Sequence, residues 1–231
     1  MTDMRKAAQA KPATSSSQRA YAQLRDRILR STFLPNQKIN EVALASDLNI
    51  SRTPLREALH RLVAEGLLVD RERGLSVPGL EPKVVFDLFE ARLEIECATV
   101  RLACERADDA ALDALSEFLG ESMAESSDAS VDRLIELDIG FHDSIADMAG
   151  NRVLQQILSN LNDRIHLIRW IAMEGRRERT QSEHLEILEH MRARDPQAAI
   201  AAMRQHILHR NDDILAAIKA AYGHVYTRAS V

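Results

Sequence analysis

Apolar residues return every three or four positions along most of this chain, and the places where that rhythm breaks divide it into segments. Tyr21, Leu24, Ile28 and Leu29 share one face of a helix, which Phe33-Leu34-Pro35-Asn36 interrupts. Residues 40–48 supply a short second helix. Leu55, Ala58, Leu59, Leu62 and Val63 follow at the three, four and seven spacing that buries one stripe of a third. Ser51 or Thr53 can cap that helix, and Pro54 is tolerated in a first turn, where a backbone donor has no intrahelical partner to lose. Arg52, Thr53 and Arg56 fall off the stripe near the N-terminal end, where a helix entering the DNA major groove presents its side chains to base edges. After Gly66 the period shortens. Leu67-Leu68-Val69 and Leu75-Ser76-Val77 read as two short strands around Arg71-Glu72-Arg73-Gly74, a charged turn whose glycine accepts a positive φ. Three helices and a β-hairpin wing are predicted, the plan of a winged helix-turn-helix.

From Glu81-Pro82 onward the helical period is unbroken and aromatic or β-branched clusters are sparse. Helices are expected at about 82–106, 109–125, 131–149, 152–173, 178–193 and 196–221. Gly150-Asn151 ends the third of these, and Asp195-Pro196 opens the last as cap and first-turn proline. The predicted fold is mainly α: the winged module joined to an antiparallel bundle of about six helices. The expected division is an arm over residues 1–19, the winged module over 20–79, the helical domain over 80–222 and a tail over 223–231. A chain of 231 residues has room for both cores.

Charge separates the same two parts. Residues 1–75 carry thirteen Lys and Arg against eight Asp and Glu, whereas the remainder carries seventeen against twenty-seven. A basic head on an acidic body suits a DNA-binding module attached to a domain that does not touch DNA. No apolar run reaches the length of a membrane span and no signal-peptide core is visible, so a cytoplasmic protein with no membrane partner is expected. Cys97 and Cys104, the only cysteines, would stand about 10 Å apart along one helix, too far for a disulfide, and are expected in the core.

In the helical part, Asp138 and His142 lie four apart and therefore on one helix face. His184 and His206 fall on two later helices that come level if they run antiparallel. One carboxylate and three imidazoles would suit a divalent transition metal, Zn²⁺ first, with Ni²⁺ or Mn²⁺ as other occupants. Spacing alone leaves the alternative open, because a chain with eight histidines offers such a trio easily and ordinary surface or core histidines would look the same. No H-E-x-x-H, nucleophile triad or glycine-rich phosphate loop accompanies the four, which argues against a metalloenzyme carrying a DNA-binding appendage.

Two resemblances extend these readings. Leu34-Pro35, Ser51-Arg52-Thr53-Pro54-Leu55-Arg56-Glu57-Ala58-Leu59 and Leu62-Val63-Ala64-Glu65-Gly66-Leu67 make residues 20–78 resemble the winged helix-turn-helix of GntR-family transcription regulators. Asn36 departs from the glycine that often follows Leu-Pro there. The resemblance implies that Arg52, Thr53 and Arg56 contact bases and phosphates of double-stranded DNA and that Gly74, at the wing tip, approaches the minor groove. Residues 82–215 resemble the FCD effector domain of the FadR subgroup through Arg92-Leu93-Glu94-Ile95-Glu96, Asp138-Ile139-Gly140-Phe141-His142, Ala149-Gly150-Asn151, Glu183-His184 and Met203-Arg204-Gln205-His206-Ile207. That implies a metal held by Asp138, His142, His184 and His206, and a small carboxylic or sugar acid as effector beside it. Arg92 would meet the acid, although an ion pair to Glu96 is its structural alternative; Trp170 would form a pocket wall or simply fill core, and His166 is a weaker candidate. The implied mechanism is a homodimer on a palindromic operator, repressing until the effector binds. A constitutive DNA-binding dimer with a purely structural metal is the competing possibility.

Overall fold

A computed structural model describes residues 15–30, 32–72, 74–125, 129–172 and 177–209, leaving aside the side chains of 167, 170–172, 177 and 178. Its contacts divide the chain into two compact units, Met1–Pro78 and Gly79–Val231.

In the first unit, α1 (Ser16–Leu29) begins where Ser15 closes a reciprocal cap with Gln18, each side chain bonding the other's backbone N–H. The helix thus starts inside the stretch expected to be an arm over residues 1–19, because this cap lies upstream of the first apolar repeat. Asn40 opens α2 (Glu41–Asp47) by accepting from the backbone N–H groups of Val42 and Ala43. Ser51 stands at the cap position of α3 (Arg52–Ala64), but its side chain makes no capping bond, contrary to that part of the sequence reading. Ala20, Leu24, Ile28, Leu44, Leu55, Ala58, Leu59 and Leu62 close a core between the three helices, completed by Leu67, Leu68 and Val77 from the wing. Two asparagines make the sharp corners: Asn36 with φ 63° and Asn49 with φ 50°. Asparagine is among the few non-glycine residues that tolerate this left-handed region, so the departure at Asn36 leaves the turn intact.

The wing pairs β1 (Val69–Arg71) antiparallel with β2 (Gly74–Ser76), in the register Val69 to Ser76 and Arg71 to Gly74. Gly74 takes φ +97°, as the turn requires. The other edge of β2 is covered by residues 36–39: Ile39 N–H donates to Leu75 O at 2.9 Å and Val77 N–H to Gln37 O at 3.0 Å. This third short segment, not foreseen from the sequence, ties the wing back to the start of α2.

The second unit consists of α4 (Pro82–Arg106), α5 (Asp109–Ala124), α6 (Val131–Met148), α7 (Arg152–Ala172), α8 (Arg177–Arg192) and α9, described over residues 196–209. The bounds fall within about a residue of those the periodicity predicts, apart from α9, whose expected end at 221 lies outside the described residues, as does the tail over 223–231. Gly150 terminates α6 in the left-handed conformation, φ 61°, and Asp195 caps α9 ahead of Pro196. α4 packs on α6, α7 and α8, and α5 on α6 and α8. Leu93, Val100, Ala103, Leu115, Phe141, Ile145, Ile187, Met191 and Met203 lead one core, with Cys97 and Cys104 buried in it as free thiols. Gly140 lies under the Phe118 ring, where an added Cβ would stand 2.8 Å from Cζ. No helix among the described residues is long and apolar enough to cross a membrane.

Candidate metal centre and nucleic-acid interface

Arg52, Thr53 and Arg56 project from the exposed face of α3, opposite Leu55, Ala58, Leu59 and Leu62. Arg56 Nε donates to Glu41 Oε2 at 3.1 Å, bracing this face of α3 against the first turn of α2. With Lys38, Asn40 and Val42 these arginines line one groove. Gly74 borders a second concavity with Asn36, Lys38 and Arg71. A Cβ added at Gly74 would meet no atom within 4 Å, so its backbone angle, not crowding by the protein, demands glycine. The open space is available to another molecule's backbone.

The four metal candidates meet inside the helical unit. Asp138 and His142 come from α6, His184 from α8 and His206 from α9; all four are buried, and one potential ligand atom from each lies within 4.8 Å of the others. His142 Nε2 and His206 Nε2 stand 3.3 Å apart, and His184 Nε2 stands 3.6 Å from Asp138 Oδ1. Two ligands sharing an ion at about 2.1 Å, subtending about 90–110°, would be about 3.0–3.4 Å apart; the His142–His206 separation falls in that range, and the His184–Asp138 pair would have to draw in slightly to share a divalent transition metal. The rings are held from behind. His142 Nδ1 bonds Glu96 Oε2, His206 Nδ1 bonds Glu183 Oε2 at 2.8 Å, and Phe141 stacks on His184 with centroids 3.9 Å apart. Metal-ligating histidines commonly carry such carboxylate partners on the second nitrogen.

Charge at the site is built from buried pairs. Arg92 Nε donates to Glu96 Oε1 at 2.6 Å, and Arg169 Nη1 stands 3.5 Å from Asp138 Oδ2. Burial alone would raise the Glu96 carboxyl, but Arg92, His142 and Arg169 outweigh it and hold it down to about 2. Burial also lowers His142, against the opposing pull of Glu96, and so favours the neutral imidazole that a metal requires. Glu183 is likewise held below its ordinary value: burial would raise it, and hydrogen bonds from His206 and His209 prevail.

Arg92 therefore makes the ion pair to Glu96, yet it is not consumed by it. The side chain is 1% exposed, and its Nη2 has no hydrogen-bond partner among the described residues. A buried guanidinium N–H left without an acceptor is costly, and an anion would supply one. Trp170 lies on α7, but its side chain is outside the described residues, so neither a pocket-wall nor a core role is assigned. His166 is half-buried on the same helix.

Sequence reasoning missed Arg169, Asn162, Glu183 and the second role of Glu96. Asn162 Oδ1 accepts from Arg169 Nη2 at 3.2 Å, and both are buried. Their spacing of seven, in step with Leu161, Ile165 and Ile168, marks polar residues on the buried face of α7 and could have found them. His209 is half-buried, and its Nδ1 bonds Glu183 Oε1 at 2.8 Å. His190 is half-buried too, while His60 is exposed and His224 falls outside the described residues.

Sequence comparison decides the family. The sequence profile described as "Bacterial regulatory proteins, gntR family" matches residues 16–76, and that of the FCD domain matches residues 87–209. The chain belongs to the GntR family. Among GntR relatives, it is 38% identical over 199 residues to the Nta operon transcriptional regulator of Aminobacter aminovorans, covering 86% of this chain and 94% of that protein. It is 32% identical over 206 residues to the HTH-type transcriptional repressor GlaR of Escherichia coli K12, covering 84% and 94%. The solved structure of E. coli McbR/YncC superposes with a TM-score of 0.73 over 87% of this chain and 97% of that one; at 22% identity the likeness concerns the fold. This GntR protein is a DNA-binding transcriptional regulator, with the DNA-binding module in its first unit and an FCD domain in its second.

Proposed function

We propose that this GntR regulator is a cytoplasmic repressor that binds a palindromic operator as a homodimer and releases it when a small carboxylic or sugar acid enters the helical domain beside a bound metal. One observation carries the reading: a buried Asp138, His142, His184 and His206 set next to an arginine whose Nη2 has no acceptor among the described residues. Zn²⁺ is the first choice of ion, Ni²⁺ or Mn²⁺ the others. Such an ion would be held by Asp138, His142, His184 and His206 and would supply a fixed positive charge and Lewis acidity toward an acid's oxygens. Arg92, anchored through Nε, presents Nη2 to a carboxylate, and Arg169 adds positive charge from the α7 side. Burial strengthens each of these contacts by excluding water.

On the DNA side, Arg52 and Thr53 at the start of α3 and Arg56 one turn later reach base edges and phosphates, and Gly74 brings the wing backbone to the minor groove. Two modules on one dimer engage both half-sites together, so an acid that alters their spacing lowers affinity without touching DNA. The division at the Pro78–Gly79 junction serves this separation of tasks.

The deciding experiment combines metal analysis of purified protein with fluorescence anisotropy on an operator selected from a random duplex library, with carboxylic and sugar acids added before and after chelation. About one metal per chain and acid-induced release abolished by the chelator are expected. Metal that stays bound while every acid leaves operator affinity unchanged would favour the structural-metal dimer; no metal and no response would remove the sensor reading altogether.

A further inference from the structure

Glu96 stands between two donors. Its Oε1 accepts from Arg92 Nε at 2.6 Å, its Oε2 bonds His142 Nδ1, and all three side chains are at most 1% exposed. Arginine Nε–H only donates and stays protonated. A carboxylate flanked by that charge only accepts, so the bond to His142 requires the hydrogen on Nδ1. The opposite nitrogen, Nε2, then carries a lone pair, and it is this nitrogen that stands 3.3 Å from His206 Nε2 in the cluster with His184 and Asp138.

We propose that Glu96 is the positioning residue of the centre: held by Arg92 through one oxygen, it uses the other to confine the His142 hydrogen to Nδ1 and so keeps Nε2 available as a ligand. The proposal rests on the metal reading of the four-residue cluster. It makes the carboxylate irreplaceable in a specific way. A glutamine at 96 has one acceptor and one donor end. Arg92 claims the acceptor, since two facing donors repel, and the amide NH₂ is then turned to His142 Nδ1. The hydrogen of His142 must move to Nε2, where it blocks coordination and can close on His206 Nε2 instead.

Glu183 provides the contrast. It too bonds two residues, His206 Nδ1 and His209 Nδ1, both at 2.8 Å. Its second partner is a half-buried imidazole whose Nε2 meets the exposed Gln205 amide at 2.7 Å, and that amide can turn to accept as the ring exchanges tautomers, so a glutamine at 183 can keep its oxygen on His206 and offer NH₂ to His209. The same substitution at two carboxylates behind two rings therefore has opposite outcomes.

The test reads the tautomer directly. Two-bond ¹H–¹⁵N correlations on metal-free, ¹⁵N-histidine-labelled protein, with the His142 signals assigned by His142→Ala, should show His142 as the Nδ1–H form in the parent and as Nε2–H in Glu96→Gln. Zinc affinity, measured by chelator competition, should fall about tenfold to a hundredfold in Glu96→Gln, and change less than about threefold in Glu183→Gln. Arg92→Met combined with Glu96→Gln frees the amide to turn its oxygen to His142, and should restore the Nδ1–H form and most of the affinity. A parent with His142 as Nε2–H overturns the proposal without any variant, so it stays testable even if Glu96→Gln fails to fold. Parent-like zinc affinity in Glu96→Gln, with affinity lost in His142→Ala, overturns it while leaving the metal reading standing. Zinc affinity unaffected by His142→Ala removes the metal reading beneath it.

Discussion

Arg56 is a side chain whose proposed part in DNA contact can be separated from its part in the fold. It is 62% exposed, and its ion pair to Glu41 is of the surface kind that contributes little stability. Arg56→Ala should therefore leave the melting temperature within about 1 °C while weakening operator binding by on the order of 1–3 kcal/mol if it reads a base. Anisotropy titration checks the second effect and calorimetry the first; unchanged affinity would remove Arg56 from the interface. Asn49 makes the opposite kind of contribution, through the backbone. Its φ of 50° is strained for a β-branched residue, so Asn49→Val should cost about 1–2 kcal/mol of stability in urea titration, whereas Asn49→Gly should be close to neutral.

What was legible at this scale depended on distance along the chain. Asp138 with His142 and Arg92 with Glu96 are four apart, and a helix places such pairs side by side whatever surrounds it. The bonds from Glu96 to His142 and from Glu183 to His206 span 46 and 23 residues. They depend on how each helix is rotated about its axis, which periodicity fixes only to the width of an apolar stripe. Arg169 was hidden for a related reason: a charged residue in step with buried neighbours reads as surface unless its face is counted.

Between elements, α1 is fastened to the end of α3 by a polar clasp beside the core. Tyr21 Oη donates to Glu65 Oε2 at 2.7 Å, Glu65 Oε1 accepts from Arg61 Nε at 2.9 Å, and the Arg61 guanidinium lies 3.7 Å from the Tyr21 ring centroid. Partial burial, followed by the Glu65 bond and charge, pushes the Tyr21 phenol up to about 12 from 10. A raised folded-state value means stability that is whole below pH 10 and is lost as pH rises toward 12. Melting temperature of the winged unit should accordingly decline across that interval in the parent, and Tyr21→Phe should flatten the decline while costing about 1 kcal/mol at neutral pH. An equally steep alkaline loss in Tyr21→Phe would show that other groups govern it. The helices themselves were readable because their caps and apolar stripes are local; the segment 36–39 that edges the wing was not, because four residues pairing across the chain leave no repeat to count.

Taken whole, the molecule has separate interiors. The core led by Leu55 and Leu62 lies in the first unit, and those led by Phe141 and by Phe89 lie in the second. If the buried cluster holds a metal, it stabilises only the fold that contains it. Chelation should lower the melting temperature of the helical unit by several degrees and leave the loss of the Tyr21 clasp unmoved, which differential scanning calorimetry on the parent and on Leu62→Ala would separate. Leu62 is fully buried in the winged core, and its truncation should cost that unit about 2–5 kcal/mol.

Separate interiors also bear on descent and on engineering. A substitution that retunes the groove around Arg52 and Arg56 repacks nothing around Phe141, and one that reshapes the surroundings of Arg92 leaves Leu55 and Leu62 where they are. Operator and signal can then drift independently, each inherited like an interchangeable cassette. Exchanging the chain at the Pro78–Gly79 junction between two such regulators is the natural way to wire an old address to a new message.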